Sequence, residues 1–193
     1  YPQIILEESK NPITISSEII KNMIKQTIFA VSIQESRPLL TGLNLKINGK
    51  VLEVVATDSY RLAKKTIILD NDYPEMVNIT IPGKNINEFD KIISDDSNVE
   101  LHLFSNKVLF KYRNIIFQSS LLNGNYPNTS NLIPNDFEII INSSLSNYYA
   151  SIDRAALLTQ SKDKNIVKMT LSGKKLIINS YASEIGKVEE TID

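Results

Sequence analysis

The sequence repeats itself, and the repetition limits its possible folds more than any single motif does. Between about Asn11 and Gly124 one order of elements can be read twice: a strand, a helix, then three strands. In the first pass, Pro12-Ile13-Thr14-Ile15 is the opening strand. Ser16-Ser17-Glu18 offers a hydroxyl to the free N–H groups of a helix start and an acid to its dipole. The helix is predicted over about Ser17 to Ser32, with Ile20, Ile24, Thr27 and Val31 on one stripe and Lys21, Asn22 and Lys25 on the other side. Gln34 to Pro38 breaks it. Leu43-Asn44-Leu45-Lys46-Ile47 then alternates apolar and polar, Asn48-Gly49 is a strong hairpin signal, and Lys50 to Ala56 is the return strand. A third strand runs from Arg61 to Leu69, ahead of a loop containing Tyr73-Pro74.

The second pass opens with Asn78-Ile79-Thr80-Ile81, punctuated by Pro82-Gly83-Lys84. A helix over about Lys84 to Ser94 buries Ile86, Phe89 and Ile93 and shows Lys84 and Lys91 elsewhere. After a turn at Asp95-Asp96-Ser97-Asn98 come strands Val99 to Phe104, Val108 to Tyr112 and Ile115 to Leu122. Two such units, each with a helix and a sheet face to cover, can share one core. The predicted class is α+β, with repeated β-α-β-β-β units and two helices packed on antiparallel sheets in each domain.

A longer repeat overlies the first. Asn125-Tyr126-Pro127 parallels Tyr1-Pro2, and Ile139-Ile140-Ile141-Asn142-Ser143-Ser144 parallels Ile13 to Ser17, again before a helix over about Leu145 to Thr159. Leu171-Ser172-Gly173-Lys174 likewise parallels the hairpin at Asn48-Gly49. The expected organisation is a linker over residues 1–10, a complete domain over 11–130, and the first half of another over 131–193. Half a domain buries its apolar face poorly, so further sequence is expected beyond Asp193. A chain that opens without Met and stops in a charged strand, Val188 to Asp193, also reads as a fragment.

Composition then narrows the chemistry. Cysteine is absent, which removes disulfides, thiol nucleophiles and Cys-ligated zinc and fits an intracellular, cytoplasmic location. There is no apolar run of roughly 18 residues and no signal peptide, so no membrane contact is expected. His102 is the only histidine. Alternation in Glu100-Leu101-His102-Leu103-Phe104 puts it beside Glu100 on the polar face, as an exposed strand histidine. Asp95-Asp96 lacks the spaced oxygen ligands of a calcium loop and reads as a solvated turn. The six glycines stand apart, so no phosphate-cradling loop is present. No catalytic residue, metal site or cofactor is expected, and a hydrolase or nuclease reading finds no nucleophile, base and metal set. Lys and Arg number 21 against 22 Asp and Glu, so any nucleic-acid contact must come from a local asymmetry.

What remains is the lysine-bearing helix faces and one octet, Ala56-Thr57-Asp58-Ser59-Tyr60-Arg61-Leu62-Ala63. Its Thr-Asp-Ser part is turn chemistry. Tyr60, Arg61 and Leu62, an aromatic, a forked cation and an aliphatic together, favour a binding surface.

This octet, the run Arg37-Pro38-Leu39-Leu40-Thr41-Gly42, Ile81-Pro82-Gly83-Lys84 before a helix, the Tyr-Pro junctions and Arg154-Ala155-Ala156-Leu157-Leu158 closely resemble the bacterial sliding clamp family, the beta subunit of DNA polymerase III. The resemblance covers essentially the whole chain. It implies the DNA-clamp fold, with the end of a linker from a missing first domain, a complete middle domain and about half of a third. It further implies a non-catalytic processivity factor: two full-length chains close head to tail into a ring around double-stranded DNA, helices lining the hole. DNA-facing candidates are then Lys21, Lys25, Gln34, Lys84, Lys91 and Arg154, with Lys84 matching a basic position of the family. A hydrophobic groove between the second and third domains takes short peptides from the replicative polymerase, the clamp loader and other proteins. By motif match its residues are Arg37, Leu40, Thr57, Ser59, Tyr60, Arg61, Leu62, Pro127, Asn131 and Leu132. Asn131 stands where the family often has a basic residue, and Ser161 to Asn165 carries no aromatic where a gate can occur. A peptide-binding adaptor of the same fold that forms no ring is the alternative.

Overall fold

The computed structural model describes residues 8–94, 96–159, 166–182 and 186–192. Most of the 1–10 linker, Asp95 and the Ser161 to Asn165 loop therefore lie outside the described residues. The chain divides into two compact units, Tyr1–Thr129 and Ser130–Asp193.

The first unit begins with strand β1 (Ile13–Ser16) and helix α1 (Ser17–Thr27). Ser16 caps the helix as its sequence predicts, its Oγ accepting the Ile19 N–H at 3.3 Å. The helix is shorter than expected. After Thr27, whose hydroxyl donates back to the Met23 carbonyl at 2.6 Å, the chain tightens into a 3₁₀ turn over Ile28–Ala30. Ile20, Met23, Ile24 and Thr27 are buried.

The sequence predicts four short strands between the helices. Two long ones are found instead, β2 (Gly42–Thr57) and β3 (Leu62–Pro82), paired antiparallel from Gly42–Pro82 to Thr57–Leu62. The predicted Tyr73-Pro74 loop lies inside β3, and Asn48-Gly49 lies inside β2, where the ladder shifts register. Leu43, Leu45 and Ile47 are buried before that point, and Leu52, Val54 and Ala56 after it. Odd positions give way to even ones, so a shift is required to keep both halves facing one core. Gly49 supplies it with a φ of 60°, a conformation that L side chains rarely adopt.

Helix α2 (Gly83–Ile92) follows, then strands β4 (Asn98–Leu103), β5 (Lys107–Tyr112) and β6 (Ile115–Ser120). They form an antiparallel sheet in the order β1-β4-β5-β6, so the opening strand of the first repeat is paired with the second. Ser17 ties that junction, its Oγ donating to the Ser97 carbonyl at 2.7 Å. Gly83 is needed for close approach, since a Cβ there would lie 2.8 Å from the Thr41 carbonyl oxygen. Both helices pack on β2 and β3 and touch each other. At the centre, Phe89 of α2 stacks on Phe110 with ring centroids 4.5 Å apart, and on Phe117 at 5.4 Å.

Two residues overturn simple alternation. Asn44, polar in an alternating strand, is buried, its amide donating to Asn78 Oδ1 at 2.9 Å, the Ile79 carbonyl at 3.1 Å and Thr80 Oγ1 at 3.2 Å. His102 is 1% exposed rather than solvated. The second face of β4 is covered at this point by the segment before β1, which the strand pattern alone does not reveal.

The second unit holds α3 (Leu145–Leu157) on a meander of β7 (Lys168–Ser172), β8 (Lys175–Ala182) and β9 (Gly186–Ile192). The predicted turn at Ser172-Gly173 joins β7 to β8, with Gly173 at φ 60°. Its core is small: Ala155, Leu176, Ile178 and Ile192, flanked by Tyr148, Ile152, Val167 and Val188. The strand expected at Ile139 to Ile141 is not formed, and all three isoleucines are exposed. Among the described residues, no helix is long and apolar enough to cross a membrane.

The three-ring contact makes Phe89 the position where truncation should cost most. Phe89→Ala should lower stability by about 3–5 kcal/mol, measured as a drop in the denaturant midpoint of the first unit's transition.

Candidate functional site

The octet occupies the connection between β2 and β3 and is held almost entirely by its own atoms. Asp58 Oδ1 accepts the N–H groups of Tyr60 and Arg61, both at 3.0 Å, and its Oδ2 lies 3.2 Å from Arg61 Nε. Thr57 Oγ1 donates to the Arg61 carbonyl at 2.7 Å and accepts the Ser59 N–H at 3.2 Å. Ser59 takes φ 77°, a left-handed conformation that costs a non-glycine residue roughly 1–2 kcal/mol. The backbone donors of Tyr60 and Arg61, more than the guanidinium, hold the Asp58 carboxyl below the ordinary carboxylate range.

Beneath the turn lies a separate apolar cluster of Leu40, Val55 and Tyr126, with Leu39 and Leu62 packed on it. Tyr126 secures it from below, its hydroxyl accepting the Thr57 N–H at 3.1 Å, and burial pushes its phenol pKa up. The turn thus raises Tyr60 and Arg61 above an apolar floor. Tyr60 is 94% exposed. Arg37 joins the same lip, Nη1 donating to Ser59 Oγ at 2.9 Å.

The predicted groove residues of the first unit therefore converge. Leu40 and Leu62 share one cluster, Thr57 and Arg61 share a hydrogen bond, and Arg37 meets Ser59. Leu40 is buried in the cluster beneath the turn. Pro127 is exposed directly after Tyr126. Asn131 and Leu132 belong to the second unit and are exposed there. Sequence reasoning does not single out Asp58 and Tyr126 for the groove. Asp58 is visible as a turn former, but Tyr126 carries only its place before Pro127.

The predicted DNA-facing residues are more dispersed. Lys21 and Lys25 line a hollow of about 630 Å³ along α1, together with Glu18, Asn22 and Asp90. Lys21 also donates to the Ile93 carbonyl at 3.2 Å, bridging the two helices. Lys84 is exposed in the first turn of α2. Lys91 pairs with Glu88 at 2.8 Å. Arg154 makes a two-pronged contact with Glu190, Nε to Oε1 and Nη2 to Oε2 both at 2.8 Å, which holds the Glu190 carboxyl below its usual range. Gln34 lines a hollow of about 150 Å³ with Tyr60, Arg61 and Asp58.

Glu8, Glu100 and His102 bring three possible metal ligands together. The hydrogen bonding argues for an ion-pair network instead. Nδ1 of His102 takes the Ser9 N–H at 2.9 Å, so a neutral ring carries its proton on Nε2, which lies 3.3 Å from Glu100 without hydrogen-bond alignment. The Lys111 ammonium already sits 2.8 Å from Glu8 and 3.9 Å from Glu100. Asp96 is similarly engaged, with Ser94 and Arg113.

With this geometry in hand, residues 14–128 match the DNA polymerase III beta subunit, central domain, and residues 130–193 match its C-terminal domain. The chain belongs to the DNA polymerase III beta subunit family. It is 42% identical over 196 residues to the beta sliding clamp of Bacillus subtilis, with 100% of this chain and 51% of the relative covered. The crystal structure of the Bacillus subtilis DNA polymerase sliding clamp superposes with a TM-score of 0.92 at 41% identity, over 100% of this chain and 51% of that one. A beta chain of DNA polymerase III from Streptococcus pneumoniae gives 0.93 at 36% identity, over 100% and 52%. The chain spans about half the length of the relatives it matches. The α+β reading and the clamp fold agree with these superpositions.

Because the Asp58 carboxyl is depressed in the folded turn, its contribution to order is present above the ordinary carboxylate pKa and lost as pH falls through the lowered value. Amide resonances of Tyr60 and Arg61 should shift together in that acid range. Asp58→Asn should abolish this titration while leaving the resonances of Phe89 and Phe110 in place.

Proposed function

We propose that this chain is part of a DNA replication processivity factor: a ring-forming, non-catalytic clamp that encircles double-stranded DNA and tethers proteins by short hydrophobic peptides. The observation that carries the proposal is the octet. It is a turn locked by its own hydrogen bonds, holding Tyr60, Arg61 and Arg37 as a polar lip over the apolar floor of Leu40, Val55, Leu62 and Tyr126. Apolar depth with a few fixed polar groups is what an orienting peptide site needs. In this reading Pro127, Asn131 and Leu132 supply the facing wall, and Thr57 and Ser59 brace the lip. The occupants are the tails of the replicative polymerase, the clamp loader and other clamp-binding proteins.

The domain assignment belongs to the same proposal: residues 1–10 as a linker from a first domain, 11–130 as the middle domain, and 131–193 as the first half of the third. It is supported by apolar surface in the second unit, where Leu132, Phe137, Ile139, Ile140, Leu145 and Tyr149 are all more than half exposed. Residues that complete the third domain would cover part of that surface. The full-length protein would act as a homodimer, in the cytoplasm where a bacterial chromosome lies.

For the DNA face we assign Lys21, Lys25, Lys84, Lys91, Arg154 and Gln34. Topological linkage makes tight contact unnecessary, so a few cations suffice for sequence-independent phosphate attraction. Lys21 and Lys84 carry the test, one from each helix of the first unit. Lys21→Glu with Lys84→Glu in the full-length protein should shorten retention on circular DNA and lower its salt dependence by about one unit of slope for each phosphate no longer neutralised. Retention equal to wild type on circular DNA would refute the assignment, and equal retention on linear DNA would refute the ring.

The groove has its own test. Leu62→Ala with Leu132→Ala removes apolar surface from both sides. Peptide binding should weaken by about 3 kcal/mol, roughly a hundredfold in Kd, when the full-length protein is titrated with a labelled polymerase-tail peptide. Undiminished affinity would rule these two walls out.

A further inference from the structure

The 3₁₀ turn over Ile28–Ala30 presents its residues unequally. Ala30 is fully buried, and Ile28 packs against the main core. Phe29, between them, is 56% exposed and belongs to none of the buried clusters. A large aromatic left in water at the end of a packed helix is not filling the core. Its neighbour is the octet: the Arg61 guanidinium stands over the Phe29 ring with Cζ 5.9 Å from the centroid.

We propose that Phe29 is a positioning residue for the groove lip, fixing Arg61 so that it can receive a carboxylate of the bound peptide. The proposal rests on the reading of the octet as a peptide site. Two interactions constrain the guanidinium from different directions. The Asp58 carboxylate holds its edge through Nε at 3.2 Å, and its Cζ stands over the Phe29 ring. An arginine side chain that is 58% exposed would otherwise sample many rotamers, and ordering it would count against every binding event. An aromatic face restricts those rotamers without consuming hydrogen-bond donors. Among the described residues the Nη groups of Arg61 make no hydrogen bond, so the planar fork keeps the donors that match a carboxylate in two-pronged fashion.

The placement depends on where α1 ends. Continuing as an α-helix would rotate Phe29 away from its present direction by the change in residues per turn. The tightened turn instead keeps Ile28 and Ala30 inward while Phe29 faces the octet. The hollow of Val31, Ser32, Ile33, Gln34, Asp58, Tyr60 and Arg61, about 150 Å³, opens on the same stretch. The ligand class this favours is a peptide with an acidic side chain or a terminal carboxylate beside its hydrophobic anchor.

The test is a cycle of variants in the full-length protein, titrated with a labelled peptide from the C-terminus of the cognate replicative polymerase. Phe29→Ala should weaken binding about two- to fivefold, the range for an exposed cation–π pair. Phe29→Tyr should restore it, and Phe29→Leu, apolar but without the ring, should not. Arg61→Ala should weaken binding further, and adding Phe29→Ala to it should cost nothing more, because the ring acts only through the arginine. Wild-type affinity in Phe29→Leu, or additive losses in the double variant, would overturn the positioning role while leaving the groove intact. Wild-type affinity in Arg61→Ala would bring down the groove reading and the positioning role with it.

Discussion

The long β2–β3 ladder depends on a change of register around Gly49, made in two steps, one before and one after it. A strand presents alternate residues to alternate faces, so sixteen residues of unbroken β2 would turn half of its apolar positions to water. The shift exchanges the faces midway and keeps Leu43, Leu45, Ile47, Leu52, Val54 and Ala56 in one core. Both helices then have a continuous surface to cover, and Phe89 can reach Phe110 and Phe117 across it. The far end of the ladder is thereby fixed in space, and the octet is that end. A β-branched or bulky residue at position 49 would have to adopt φ 60° against its own side chain. The octet is thus downstream of a backbone requirement some ten residues away in sequence.

The octet itself needs little from its surroundings. Its donors and acceptors are matched internally through Thr57 and Asp58, while the Tyr126 hydroxyl, accepting the Thr57 N–H, and the packing of Leu62 tie it to the floor. That division of labour has a functional consequence. Side chains that do not hold the turn, Tyr60 and the Nη end of Arg61, would be left to meet the proposed peptide, while the backbone under them is already ordered. Preorganisation of this kind lowers the entropy lost on binding rather than adding contacts.

Much of this is visible in the sequence, for identifiable reasons. Helix positions, the Ser16 cap and the core trio of Ile86, Phe89 and Ile93 follow from local periodicity and local hydrogen bonding, and all are legible there. What is not legible depends on residues distant in the chain. Asn48-Gly49 and Tyr73-Pro74 carry strong local turn signals, yet both lie inside strands, because cross-strand pairing decides where an extended chain ends. Alternation in its own strand makes His102 look exposed; Ser9, 93 positions away, covers it. The octet stands out by its residue types and by family resemblance. The role of Tyr126 beneath it requires the fold, since nothing local announces a hydroxyl that accepts an N–H 69 residues earlier.

Charge distribution bears on the proposed grip on DNA. The candidate cations do not form a bare positive stripe: Lys21 and Lys25 share their hollow with Glu18 and Asp90, Lys91 holds Glu88, and Arg154 holds Glu190. Each paired cation must loosen its carboxylate before a phosphate can replace it, and each such exchange nearly balances in free energy at an exposed site. A surface built this way attracts a polyanion weakly and releases it easily. For a protein that held DNA by affinity this would be a defect. For one held by closure of a ring it is the favourable case, because the barrier to sliding stays low while escape is blocked by topology. The near-neutral composition, which on its own argues against a nucleic-acid protein, is therefore consistent with one that encircles its partner.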